Sequence, residues 1–224
     1  MRLAEGLAEL LFPTRCAGCE LPGAVLCDTC RDNLPLVDWA GACTRCGAPF
    51  GYLVCTECWS REWAFEAAVA VGSLEAPLAR AVVLHKDAGE RRLAAEFGAL
   101  LARQVEVAWP GWAECVAYVP ATAAALRRRG FDHGRAIAGS LAVELGVPLA
   151  DLLSRTAARD QRSLGRAARA TNAAGTFHVL GQPPARVLLT DDVFTTGSTL
   201  DAAAGTLLSS GAQTVRVAAV ARAW

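Results

Sequence analysis

The stretch 187–199, VLLTDDVFTTGST, gathers residue types suited to a phosphorylated sugar. Apolar residues run into Asp191 and Asp192. Thr195, Thr196, Gly197, Ser198 and Thr199 then open a helical pattern. Adjacent carboxylates suit the vicinal hydroxyls of a sugar, or a divalent cation that takes oxygen ligands. Gly197 allows close backbone approach. The N–H groups of such a turn and of the following helix N-terminus make a site for a phosphate dianion. Helix capping alone calls for one Asp, Ser or Thr; here an acidic pair precedes a run of small and hydroxyl residues.

A second basic stretch fits the same ligand. After the strand-like CVAYVP comes ATAAALRRRGFDHGRA, read as a loop. Its Arg127, Arg128, Arg129 and Arg135 offer forked donors for a dense anion. The segment DLLSRTAARDQRSLGRAARATNAAGTF (151–177) is polar and arginine-rich. It reads as a lid over substrate, with Gln161, Arg169 and Asn172 as candidate contacts, or as a solvated surface segment. Lys86, in LHKDAG, is the only lysine; it reads either as a functional cation or as an ordinary helix-terminal one.

The cysteines carry a different chemistry. Eight of nine form Cys-x-x-Cys pairs: Cys16/Cys19, Cys27/Cys30, Cys43/Cys46 and Cys55/Cys58. Each pair presents two thiolates, and two pairs complete a closed tetrahedral zinc site. Sequential pairing is favoured because the two halves read as tandem copies, with Leu26 and Val54 before their third cysteines; pairing the inner two knuckles is the alternative. Gly18 and Gly47 sit where such knuckles need an easy turn. A closed site leaves no position for substrate, so the metal's expected role is to fold a segment too short for its own core. Cys115, in an apolar run, reads as a small buried hydrophobe.

These residues need elements to position them. Apolar strand patterns at 67–72, 115–120, 186–192 and 214–223 alternate with helical patterns at 77–89, 90–106, 135–146 and 197–212. That alternation predicts an α/β fold with a parallel sheet, whose ligands sit at the carboxyl ends of the strands. The expected division is a cysteine module at 1–62 and an α/β domain at 63–224. With 224 residues and 53% hydrophobic content, a largely disordered chain is excluded. Leu3, Leu7, Leu10 and Leu11 fit one face of a short helix, and Glu5 and Glu9 argue against a signal peptide. No apolar run is long enough for a membrane span, so a cytoplasmic location is expected. The 22 basic and 22 acidic residues cancel overall, yet residues 120–180 hold nine arginines against four acids.

The 187–199 stretch resembles the phosphoribosyl-pyrophosphate (PRPP) signature of type I phosphoribosyltransferases. By that resemblance Asp191 and Asp192 hold the ribose hydroxyls and Thr195 to Thr199 the 5′-phosphate. Arg129-Gly130-Phe131 resembles the pyrophosphate-contacting Arg-Gly-Phe of adenine-type members. The whole order of motifs is similar to the ComF (competence protein F) family: four cysteine knuckles, Lys86 with Gly89, the Arg-Gly-Phe, Gln161, Arg169, Asn172 and the Asp191–Thr199 loop. Asp132 and His133 depart from the Asn-Gln usual there. The resemblance implies a type I phosphoribosyltransferase fold with an amino-terminal double zinc ribbon, structural Zn²⁺, and Mg²⁺ with PRPP. It also implies a link to single-stranded DNA and the DNA-uptake machinery of natural transformation.

Two functions follow. In the first, Mg²⁺-PRPP binds at Asp191, Asp192 and the threonine loop, Arg129 and Gly130 hold pyrophosphate, and phosphoribosyl passes to an acceptor. In the second, the chain is a non-catalytic single-stranded nucleic-acid binder using the zinc ribbon and the arginines. Trp109 or Trp112 would then be available for stacking, unless they pack in the core.

Overall fold

The computed structural model describes residues 13–49, 53–155 and 176–223. The expected leucine face at 3–11 and the contacts Gln161, Arg169 and Asn172 lie outside the described residues. Four parallel strands form the sheet: β1 (Ala68–Ser73), β2 (Cys115–Tyr118), β5 (Arg186–Phe194) and β6 (Thr214–Arg222), in spatial order β1-β6-β5-β2. A separate antiparallel pair, β3 (Leu153–Arg155) and β4 (Phe177–Val179), brackets the segment read as a lid.

The strands are near-continuous runs of Val, Ala and Leu because both faces are covered. Along β5, Leu188 packs on one side while Val187 and Leu189 pack on the other. The first face takes α3 (Leu78–Asp87), α4 (Leu93–Ala108) and α6 (His133–Leu145), and the second takes α7 (Ser198–Ser209). The helices that follow β2 and β5 therefore lie on opposite faces. In an open α/β sheet, such a reversal opens a crevice at the carboxyl ends of the two strands.

Two boundaries differ from expectation. The arginine stretch is not all loop. Residues 123–129 form helix α5 (Ala123–Arg129), capped by the Thr122 hydroxyl accepting from the Ala125 N–H and ended by Gly130 at φ +73°. Strand β5 runs two residues past Asp192, because Val193 and Phe194 still pair with Ala221 and Arg222 of β6. On its other edge β5 loses its partner earlier. The last β2 pairing is Tyr118 with Thr190, and Pro120 has no N–H to continue the ladder. Asp191 and Asp192 thus lie beside an open gap rather than at the strand's tip.

The cysteines gather in two sets. Cys16, Cys19, Cys27 and Cys30 form one and Cys43, Cys46, Cys55 and Cys58 the other. Pairing is sequential, and the halves repeat in detail. In each, the third cysteine precedes a short helix, α1 (Asp28–Asp32) or α2 (Thr56–Trp59), and the fourth lies within it. The N–H of Cys27 donates to Cys16 Sγ at 3.3 Å, and that of Cys55 to Cys43 Sγ at 3.2 Å. Gly47 takes φ +68°, as an easy turn requires, and a β-carbon there would fall 3.0 Å from the Ala68 carbonyl oxygen. Gly18 serves space instead: a side chain there would meet Cys30 Sγ. The clusters pack on opposite faces of the sheet. Cys16 and Cys30 join the α3/α4 core, while Cys43, Cys46 and Cys58 join the α7 core. Cys115 is buried on β2, where burial pushes its thiol up to about 11. Among the described residues, no helix is long and apolar enough to cross a membrane.

Candidate phosphosugar site and cysteine clusters

The gap beside β5 is a cavity of about 310 Å³. Its polar lining includes Lys86, Arg129, His133, Asp191, Asp192 and Thr195. Each arrives from a different place: Lys86 from the last turn of α3, Arg129 from the end of α5, His133 from the start of α6, and the rest from β5 and its loop. Val119, Pro120 and Ala121 form the wall where β2 gives way.

Asp192 is the buried centre. Lys86 Nζ lies 2.7 Å and His133 Nε2 3.3 Å from its Oδ2. The Lys86 charge and the facing His133 ring nitrogen therefore hold the group. Burial works against its carboxylate, but His133 and Lys86 outweigh that and hold its pKa well below the usual range. Asp191 is half-buried and goes the other way, pushed above its usual range by desolvation and then by the Asp192 charge. Two adjacent carboxylates with opposed shifts mark a site shaped for something other than stability.

His133 has a defined tautomer. Arg129 Nη1 lies 3.2 Å from its Nδ1, and a guanidinium can only donate. Nδ1 is therefore the acceptor, and the ring proton sits on Nε2, facing Asp192. Arg129 is held in turn by Asp87, at 3.0 Å from Nη2 and 3.3 Å from Nε. The neighbouring Asp132 caps α6, accepting from the N–H of Arg135 and, through its other oxygen, from that of Ala121. Asp132 thus fixes the turn, and His133 reaches the acidic pair.

The loop after β5 adjoins the cavity through Thr195. A notch of about 40 Å³ is lined by Asp191 and residues 193–200. Gly197 at φ +73° precedes α7 and, having no side chain, does not cap it; the Ser198 N–H makes only a long 3.5 Å contact to Thr196 Oγ1. Thr196 Oγ1 and Ser198 Oγ lie 3.1 Å apart at its mouth.

Not every expected residue converges. Arg135 points away to Asp151, at 2.8 Å and 3.0 Å, where Tyr118 also donates. Gly130 ends α5 and does not line the cavity; Arg127 and Arg128 are exposed. Trp109 is buried against Trp39 and Trp112, with Arg216 near both rings at the amino-terminal end of β6, so it offers no stacking face. Three contributors were missed in the sequence. Arg155 lines the cavity from β3, Asp87 orients Arg129, and Arg222 holds the loop's carbonyls. The His-Lys-Asp run around Lys86 is a usable signal for Asp87; short β3 gives none for Arg155.

The cysteine clusters fit a tetrahedral thiolate metal. With Zn–S near 2.3 Å, sulfurs at the corners of a tetrahedron lie about 3.8 Å apart. The clusters give 3.5 Å for Cys16–Cys27, 3.7 Å for Cys19–Cys27 and 3.6 Å for Cys46–Cys55. Without a cation the four sulfurs of a set cannot all ionise. Burial opposes the Cys16 thiolate, but N–H donors led by Cys27 bring its pKa down to about 6, while burial and the neighbouring sulfurs push Cys30 up to about 12. Cys43 and Cys58 split likewise, to about 7 and about 11. These two four-cysteine groups can hold zinc.

Comparison with known proteins agrees with this geometry. Residues 132–223, from the α6 cap through β6, match the phosphoribosyl transferase domain family. The chain is 29% identical over 219 residues to the DNA utilization protein YhgH of Salmonella typhi, covering 88% of this chain and 96% of that one. Residues 132–223 thus resemble a phosphoribosyl transferase domain, and the chain as a whole is similar to these DNA utilization proteins. The Salmonella typhimurium protein of the same name is 28% identical with the same coverage. Among solved structures, a hypoxanthine phosphoribosyltransferase from Staphylococcus aureus matches 58% of this chain and 60% of its own at 14% identity, with a TM-score of 0.30, too slight to bear on the site. The phosphoribosyl transferase match contains Asp191, Asp192 and the 195–199 loop, and excludes every paired cysteine.

Proposed function

We propose that the cavity binds PRPP with magnesium and that the domain transfers its phosphoribosyl group to an acceptor. The observation that carries this is the convergence of an acidic pair, three cations (Lys86, Arg129 and Arg155) and a helix N-terminus around contiguous cavities. Asp191 faces the ribose diol. The notch at Thr195–Thr199 takes the 5′-phosphate, and Gly197 lets the backbone come close. Lys86 and Arg129 face the diphosphate, with Gly130 freeing the turn beyond Arg129. Gln161 and Arg169 are assigned to the same ligand from the sequence alone.

The donor set suits a magnesium ion that arrives on the diphosphate. Asp191 offers an oxygen, whereas Asp192 is already compensated by Lys86, and the His133 nitrogen is a poor magnesium ligand. Bound there, the ion supplies charge neutralisation for the leaving diphosphate. The chain's own part is positioning and electrostatic stabilisation. An acceptor nucleophile forms a bond to the anomeric carbon as its bond to the diphosphate oxygen breaks, and the diphosphate departs with the electron pair. Release of pyrophosphate over a panel of nucleobases tests transfer; binding without release leaves a PRPP-binding protein.

In this reading residues 1–62 form a zinc module and 63–224 the transferase domain. Zinc at both cysteine sets folds the module onto the sheet. The relatives' name places them in DNA utilization, and we carry that setting to this chain. Exposed Arg127 and Arg128 favour a second reading, in which α5 contacts single-stranded nucleic acid. That reading requires binding that weakens steeply with salt and is lost in Arg127→Glu/Arg128→Glu.

A further inference from the structure

The second cysteine cluster touches the phosphate loop by two routes. The indole N–H of Trp63 donates to Cys58 Sγ at 3.2 Å, and the far edge of the same ring lies against Gly197. A β-carbon on Gly197 would fall 2.6 Å from the Trp63 ring and 2.5 Å from that of Phe194. Trp63 is fixed from below by stacking on Phe65 at 5.0 Å and by an edge contact with Phe194 at 5.8 Å. One residue later, the Ala64 N–H donates to Asp201 in the first turn of α7 at 2.7 Å.

The second route runs through Arg222. This side chain is only 2% exposed, and its Nη1 donates to the carbonyls of Phe194 at 3.2 Å and Thr195 at 2.7 Å. Its Nη2 lies 3.6 Å from Glu57 of α2, the helix that carries Cys58. Glu57 is largely exposed, so that ion pair adds little by itself. The Trp63 contact is the stronger link. The first cluster has no comparable reach among the described residues: its ties run to Arg80 of α3 and, through Arg31, to Glu96 of α4.

We infer that the second cysteine cluster sets the shape of the phosphate loop, with Trp63 as the positioning residue, so that zinc at that cluster and phosphosugar at the loop stabilise one another. This rests on the PRPP reading above. Groups that hydrogen-bond a metal's ligands tune the metal site, and any coupling between two sites acts equally in both directions.

The test is zinc release from the intact holoprotein into excess chelator, with magnesium throughout, with and without saturating PRPP. Cysteines freed over time are alkylated and assigned to their cluster by mass spectrometry, and PRPP binding is measured separately by calorimetry. PRPP slows release from Cys43/Cys46/Cys55/Cys58 by about fivefold or more and leaves Cys16/Cys19/Cys27/Cys30 unchanged. Trp63→Phe, which keeps a ring but loses the N–H, speeds release from the second cluster and weakens PRPP binding by about fivefold or more. If PRPP binds but neither cluster responds, or both slow equally, the coupling is overturned while the binding reading stands. If calorimetry detects no PRPP binding, both fall together.

Discussion

Asp191 and Asp192 sit side by side in sequence, yet their surroundings separate them. Lys86 and His133 both face Asp192, while Asp191 bears desolvation first and then its neighbour's charge. Together these are a cost to the fold. Asp191→Asn should therefore raise the melting temperature of the ligand-free protein by about 2–4 °C, the equivalent of about 1 kcal/mol in a chain of this size, while abolishing PRPP binding. A raised folded-state pKa makes the penalty grow as pH rises above the ordinary aspartate value near 4. The stability advantage of the variant should vanish in melts below that pH. Lys86→Met should act oppositely. It leaves a buried carboxylate with His133 alone and should lower the melting temperature by about 2–12 °C, from about 1–3 kcal/mol for an uncompensated group. The acidic pair was legible because chemistry places such residues together in sequence. Lys86 could be read only as ambiguous, since its partner is brought to it by α3 packing on the sheet. The sequence shows only that His133 departs from the Asn-Gln usual at this place; Arg129 beside its Nδ1 and Asp192 beside its Nε2 give it a role.

At the scale of elements, the site exists because two strands end at different places. Strand β2 gives out at Tyr118 while β5 continues beside β6, and the cavity is the difference. Single-sequence patterns marked all four main strands but could not show that offset, which depends on pairing. Helix α5 carries a signal of its own in the sequence: Thr122 before an alanine run and Gly130 after it are an N-cap and a C-cap. Strands β3 and β4 carried none, being three residues each with a long stretch between them. The loop before α7 is the most constrained turn in the site. Gly197→Ala meets both a positive φ and the rings of Trp63 and Phe194. It should destabilise the fold by about 1–3 kcal/mol and weaken PRPP binding more than Thr196→Ala does, as a paired calorimetric and melting series would record.

Across the whole molecule, the cysteine segment and the α/β body share their cores rather than meeting at a surface. Cys16, Cys30 and Leu26 belong to one buried cluster and Cys43, Cys46 and Cys58 to the other. Sequence showed two zinc sets in tandem and a composition boundary near residue 62. It could not show that the two sets clasp opposite faces of one sheet. Removing zinc with a chelator should accordingly lower the melting temperature of the entire chain in one cooperative transition; an early, separate transition followed by an unshifted main one would mean that the segment folds apart from the body. The central claim is that the cavity beside β5 binds Mg²⁺-PRPP, and thermal melting in a PRPP titration tests it most directly. Ligand at about 100 times its dissociation constant stabilises a fold by about 2.7 kcal/mol. The parent should then gain about 5–10 °C, and Asp191→Asn/Asp192→Asn should gain nothing. No gain in the parent, or an equal gain in the double variant, would contradict it.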